Sequence, residues 1–174
     1  MQYWLINYDA SCPSGWFSYQ SSDCYTNSKM SQVATVAAAY LGKVQLSGSA
    51  QPGGNDSVSM ALGSGQAVSV TNSDSMLDLA AHWNSTEWGV YGDGDGSEAI
   101  FGSNNTLEAQ TAITTTSSLA PTFSKGPGFT AETNNLNLTT TPALSGQALP
   151  TMASMQTNGP TGTASCSVTP GTPR

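Results

Sequence analysis

The sequence predicts an all-β chain, an antiparallel β-sandwich or barrel with at most one or two short helices. Short segments of alternating or β-branched character recur along it, broken by Gly, Asn and Asp at the roughly eight-to-twelve-residue spacing of sandwich strands. Two junctions carry strong turn chemistry. "LGSGQ" should join 57–62 to 66–71 as a hairpin, and "NGPTG" should join 151–157 to 162–168, because Gly and Asn tolerate the positive φ of tight turns.

In chain order the strand candidates are "KVQLSGSA", "DSVSMAL", "QAVSVTN", "EWGVYG", "EAIFGS", "TLEAQTAITTT", "NNLNLTTT", "TMASMQTN" and "TASCSVT". Two segments compete as helices. "SKMSQVATVAAAYLG" is Ala-rich and ends in Gly42, placed like a C-cap, yet Val33, Thr35 and Val36 suit a strand as well. In "NSDSMLDLAAHW" Ser73 is a candidate cap for a turn carrying Met76, Leu77 and Ala80, with an extended crossover as the alternative. The reading is one sandwich domain over 1–168, a chain long enough to bury a hydrophobic core, and a frayed tail at 169–174.

Charge narrows the partners. Charged residues make up 9% of the chain, against roughly 25% in an average soluble protein, and Ser and Thr supply about a quarter of it. The net charge of -7 offers no basic footprint for nucleic acid or anionic lipid, so neither is an expected partner. No apolar run approaches the roughly 18 residues that span a bilayer.

Cysteine usage points outside the cell. Cys12 and Cys24 bracket a loop short enough to close as a local disulfide, which belongs to an oxidising compartment, and Cys166 is left odd. The expected location is therefore extracellular, although "MQYWLINYDAS" has no signal-peptide pattern and any leader would lie outside this chain. Sequons at Asn55, Asn84, Asn104 and Asn137 fit that location but arise easily in a chain so rich in Ser, Thr and Asn.

Among catalytic constellations, His82 is the sole histidine, which removes zinc sites and Ser-His-Asp triads from consideration. The acidic stretch "STEWGVYGDGDGSEAIFG" falls short of an EF-hand loop: counting from Asp93, position 6 is Glu98 and position 12 is Asn104. An irregular calcium site on Asp93, Asp95 and Glu98 is the alternative to a solvated hairpin tip. What remains is acid–amide or acid–acid chemistry, in which a carboxylate takes a proton from water and a second group stabilises the oxyanion. Such chemistry needs neither histidine, metal nor cofactor.

Several of these segments carry a resemblance. "TEWGV", Thr86 to Val90, resembles the Ala-Glu-Trp-Ile-Val element of the eqolisins, acid-acting glutamic peptidases. "GNDSVSMALGSGQAVSVTNSDSMLDLAAHWNS" is similar to the hairpin leading into that element, and "SEAIFGSNNTLEAQTAI" to the strands after it. "GWFSYQ" is similar to the family's Trp-Tyr-x-Trp strand, and "MASMQTNGPTGTASCSV" to its closing hairpin. The resemblance implies a jelly-roll or concanavalin-like sandwich, with Glu87 on a strand as general base and Gln2 holding the tetrahedral intermediate. It further implies a polypeptide substrate bound near Trp16 and Trp88. The chain departs from the family at Gly89 and Tyr91, and only Met1 precedes Gln2, so the family's earlier strands have no counterpart here. "ETNNLNL" also resembles segments of secreted bacterial proteins of no established activity.

The alternative function is non-catalytic. Trp4, Trp16, Trp83 and Trp88 are most simply core anchors, but on an open sheet face such rings stack on sugars while Ser, Thr and Asn bond their hydroxyls. On that reading the chain is an extracellular binding module for polysaccharide or a protein surface. Glu132 is a further candidate acid without a motif.

Overall fold

A computed structural model of the chain describes residues 1–93, 96–114, 133–136, 151–158 and 165–169, with 151–155 and 165–169 described by backbone alone. The described residues are mostly strands in antiparallel sheets with a few short helical turns, which makes the protein all-β. The chain divides into two compact units, Met1–Ser85 and Thr86–Arg174.

The first unit holds two three-stranded sheets. In one, β1 (Gln2–Leu5), β2 (Phe17–Tyr19) and β3 (Asp23–Asn27) lie in the order β1-β3-β2, all antiparallel. Successive side chains point to opposite faces of a strand, so the register Tyr3↔Thr26 and Leu5↔Cys24 places those residues on one face. That face is inward: Tyr3, Cys24 and Thr26 are all buried. The Cys12–Cys24 disulfide forms as expected and ties the loop before β2 to this inward face.

In the other sheet, β4 (Val44–Ser49), β5 (Asn55–Leu62) and β6 (Val68–Ser73) lie in chain order. The hairpin expected at "LGSGQ" is present, with Gly63 at φ 60° supplying the left-handed residue. One face carries Val44, Leu46, Val58, Met60, Leu62, Val68 and Val70 by register, and the other is a hydroxyl face. There Ser47 and Ser59 meet at 2.6 Å and Ser49 and Ser57 at 2.8 Å, cross-strand pairs that replace apolar packing with hydrogen bonds.

Neither helical candidate forms a long helix. Residues 28–37 form no helix or strand and give way to a 3₁₀ turn at Ala38–Lys43. Ser73 does cap: its Oγ accepts from the Ser75 N–H at 3.3 Å and starts a 3₁₀ turn at Asp74–Met76. Asp78 then takes a left-handed φ of 51° and the single turn α1 (Leu79–His82) follows. Trp83, read as a core anchor, is 43% exposed; its indole lies against Gly48, where a Cβ would come within 3.3 Å of Cη2.

In the second unit β8 (Thr106–Ala112), β10 (Thr151–Thr157) and β11 (Ser165–Thr169) form an antiparallel sheet in the order β11-β10-β8. The hairpin expected between 151–157 and 162–168 is present as the β10–β11 pair, with its turn outside the described residues. β7 (Glu98–Ala99) and β9 (Thr133–Asn134) make a short parallel pair. "EWGVYG" is not a strand, and "EAIFGS" keeps only two strand residues. Asparagine amides take the place of strand partners: Asn135 receives the Phe101 N–H at 2.8 Å and donates to the Phe101 carbonyl at 2.9 Å. Asn134 donates to the Val90 carbonyl at 2.8 Å, and Asn158 to the Gly102 carbonyl at 3.0 Å.

The apolar core is thin. Among the described residues only Tyr3, Cys24 and Leu136 are buried hydrophobics, because the strands alternate hydroxyls with half-exposed Val, Leu and Met. Covalent closure therefore matters in the first unit. Reduction of Cys12–Cys24, or its replacement by paired Ala, is expected to cost about 2–4 kcal/mol, read as a lower urea midpoint with reductant than without.

Candidate functional site

Opposite the buried face, the β1-β3-β2 sheet turns an aromatic cluster outward. Trp4 pairs with Tyr25 and Tyr25 with Phe17 across the three strands, so the rings fall in one cross-strand row. Trp4 and Tyr25 stack with centroids 5.2 Å apart, Phe17 lies 5.4 Å from Tyr25, and Tyr19 meets Trp4 edge-on at 5.3 Å. Rings at such separations stabilise one another beyond the area they bury. Phe17 is 59% exposed, and Trp4, Tyr19 and Tyr25 are half-buried.

Polar groups border the rings on the same face. Gln2 pairs with Asn27, and Asp23 with Tyr19. The Trp4 indole N–H donates to Gln2 Oε1 at 2.7 Å, so this amide holds the indole in place. The arrangement offers apolar ring surface with amide and carboxylate acceptors at its edge, the combination that takes a ring bearing hydroxyl groups.

The expected catalytic residues stand in different units. Gln2 is exposed on β1 of the first, committed through Oε1 to Trp4. Glu87 is exposed in the second, on a segment without strand structure. Near it, burial and the Glu87 charge push the Tyr91 hydroxyl above its ordinary range, and that hydroxyl donates to the Trp88 carbonyl at 3.1 Å.

Trp16 and Trp88, expected to bind substrate, are half-buried and stand outside the aromatic cluster. Trp16 closes a turn onto the Pro13 carbonyl at 3.0 Å, and the buried Trp88 Nε1 has no hydrogen-bond partner among the described residues. Asp93 and Glu98 are exposed, and Asp95 and Glu132 lie outside the described residues, as does the side chain of Cys166. His82 is an exposed neighbour of Asp78 at 3.6 Å.

A second group of residues has no precedent in the sequence reading. Asp56 and Asp74 are each 1% exposed, the most deeply buried carboxyls described. The Tyr3 hydroxyl donates to Asp56 Oδ2 at 3.1 Å and the Ala80 N–H donates to Asp74 Oδ1 at 2.8 Å, while the buried Asp56 Oδ1 has no hydrogen-bond partner among the described residues. Asp56 is raised above its ordinary 3.8, by burial first and also by the charge of Asp74, against the opposing Tyr3 hydrogen bond. Tyr3 itself is pushed up to about 12, by burial first and then by its bond to Asp56.

One sign of this pair was present in the sequence. Asp56 shares its strand parity with Val58, Met60 and Leu62, an acid on the apolar side of an alternating strand. No family model, no curated protein and no solved structure matches the chain.

Proposed function

We propose that this chain is an extracellular β-sandwich binding module whose outward β1-β3-β2 face takes carbohydrate. The aromatic row Trp4–Tyr25–Phe17, braced by Tyr19 and bordered by Gln2, Asn27 and Asp23, carries the reading. Sugar rings present apolar C–H faces and hydroxyl edges at once, and this surface answers both. The disulfide and the uncharged, hydroxyl-rich composition fit a protein that works in an oxidising compartment. The test is titration with a panel of soluble polysaccharides, followed by Trp fluorescence. A saturable shift with at least one glycan class is expected; flat titrations across the panel sink the reading.

The acid endopeptidase is a second reading, which rests on the resemblance of "TEWGV" and on Glu87 standing exposed to water. In that reading Glu87 activates water. It predicts cleavage of a denatured protein substrate at acidic pH, with at least a hundredfold loss in Glu87→Gln. Equal cleavage by the variant would remove Glu87 from the mechanism.

A further inference from the structure

We propose that the aromatic face selects polysaccharides bearing free amino groups, with the ammonium of a glucosamine-type unit beside Asp23 and the sugar ring on the Trp4–Tyr25–Phe17 row. This selection rests on the carbohydrate reading of the same face and names the class of glycan. The face is electrically uneven. Cys24 and Thr26 are buried, so Asp23, Tyr25 and Asn27, which alternate with them along β3, point to the ring side of the sheet. Asp23 stands directly across from Tyr19 and is half-buried. Its Oδ1 receives the Asn7 N–H at 2.8 Å, which fixes the carboxylate at the border of the rings. A carboxylate accepts at about four lone-pair sites, so this one bond leaves it able to take an ammonium.

The same end of the sheet gathers a second acid. The Tyr8 and Asp9 N–H groups both donate to the Ser22 carbonyl, at 2.8 and 3.3 Å, which holds the loop after β1 against the start of β3. Tyr8 is 53% exposed there, and Asp9 is exposed beside it. No cationic side chain answers these two acids, since the only ion pair among the described residues is His82 with Asp78. Lys43 lies over the Tyr40 ring, and Lys29 follows the far end of β3. That end is about 13 Å from Asp23 along an extended strand, beyond the screening length of about 8 Å at physiological ionic strength. An ammonium at the acidic end gains from the carboxylates and from the negative faces of the neighbouring rings together. A neutral sugar gains only ring contact and hydroxyl bonds. The net charge of -7 draws in a polycation from a distance and repels uronate or sulfated chains.

The experiment is isothermal titration of the full chain with glucosamine oligomers, their N-acetylated counterparts and a neutral glucan oligomer of equal length, at a pH where the sugar amine is protonated. Wild type, Asp23→Asn, Asp9→Asn and Trp4→Ala are compared. The free-amine oligomer is expected to bind wild type about tenfold tighter than its N-acetylated counterpart, the gain of one ion pair with a ring contact. That ratio should shrink as salt rises from about 20 mM to about 300 mM. It should fall most of the way to one in Asp23→Asn, which keeps an acceptor for the Asn7 N–H, and part of the way in Asp9→Asn. Trp4→Ala should weaken the free-amine and N-acetylated oligomers alike. Equal affinities for the two in wild type, or a ratio unchanged in both Asn variants, overturn the selection and leave the carbohydrate reading standing. Free-amine binding that Trp4→Ala does not weaken also overturns it, as adsorption of a polycation to an acidic protein. Absence of binding by every oligomer overturns both. Should Asp23→Asn fail to fold, the Asp9→Asn ratio and the wild-type salt dependence decide the matter.

Discussion

Tyr3→Ala is expected to destabilise the first unit by about 4 kcal/mol, the cost of emptying a buried aromatic site, which is most of the stability of a marginal domain. Two losses combine. The ring is 5% exposed in a unit with few other buried apolar side chains, so little can collapse into the space. The hydroxyl is also the donor to Asp56 Oδ2, and without it a buried carboxyl loses a partner that nothing nearby replaces. Tyr3→Phe separates the two. It keeps the ring and is expected to cost about 1–2 kcal/mol, more at pH 8 than at pH 4, because the hydroxyl favours the charged form of Asp56 and its value rises with pH. Urea unfolding of both variants at the two pH values checks this; a Phe variant equal to wild type at pH 8 would mean that the Tyr3–Asp56 bond contributes nothing.

The elements that were legible in the sequence are those whose order comes from their own alternation. The β5–β6 hairpin needed only "LGSGQ" between two alternating segments, and Ser73 needed only its local geometry to cap. "EWGVYG" alternates just as well but forms no strand; its Val90 carbonyl is held by the Asn134 side chain, and Asn135 and Asn158 hold Phe101 and Gly102 of "EAIFGS" in the same way, all from far along the chain. Side-chain amides mimic a strand partner without requiring a strand, and local periodicity carries no trace of them.

The candidate site divides in the same way. The chemistry of aromatics facing sugars could be written down from composition, but not which aromatics, because β1 and β2 have only four and three residues and give periodicity almost nothing to act on. Trp16 and Trp88 drew notice for their flanking motifs, whereas Trp4 became part of a surface only through its register with Tyr25. The acid pair is further from view. Asp56 and Asp74 are 18 positions apart by number, and what unites them is the reversal of the chain between β5 and the turn after β6.

Trp4→Ala is expected to weaken glycan binding by about 30-fold or more, the effect of truncating an aromatic hot spot worth about 2 kcal/mol, while lowering stability far less than the neighbouring Tyr3→Ala. The contrast follows from strand parity. Tyr3 points into the unit and Trp4 to the outward face, where it is half-buried, stacked on Tyr25 and bonded to Gln2. Removing the indole breaks the row at its β1 end and frees the Gln2 amide to water, but empties no core site. Trp4→Phe should recover part of the affinity, since a smaller ring still stacks but leaves Gln2 Oε1 without its donor. A protein-surface partner would respond differently: Phe17→Ala, at the exposed end of the row, would then matter as much as Trp4→Ala, and no soluble glycan would compete. Isothermal titration of wild type, Trp4→Ala, Trp4→Phe and Phe17→Ala with the tightest glycan of the panel separates these cases. Unchanged affinity in Trp4→Ala, with the fold intact by circular dichroism, would remove the β1-β3-β2 face as the binding surface.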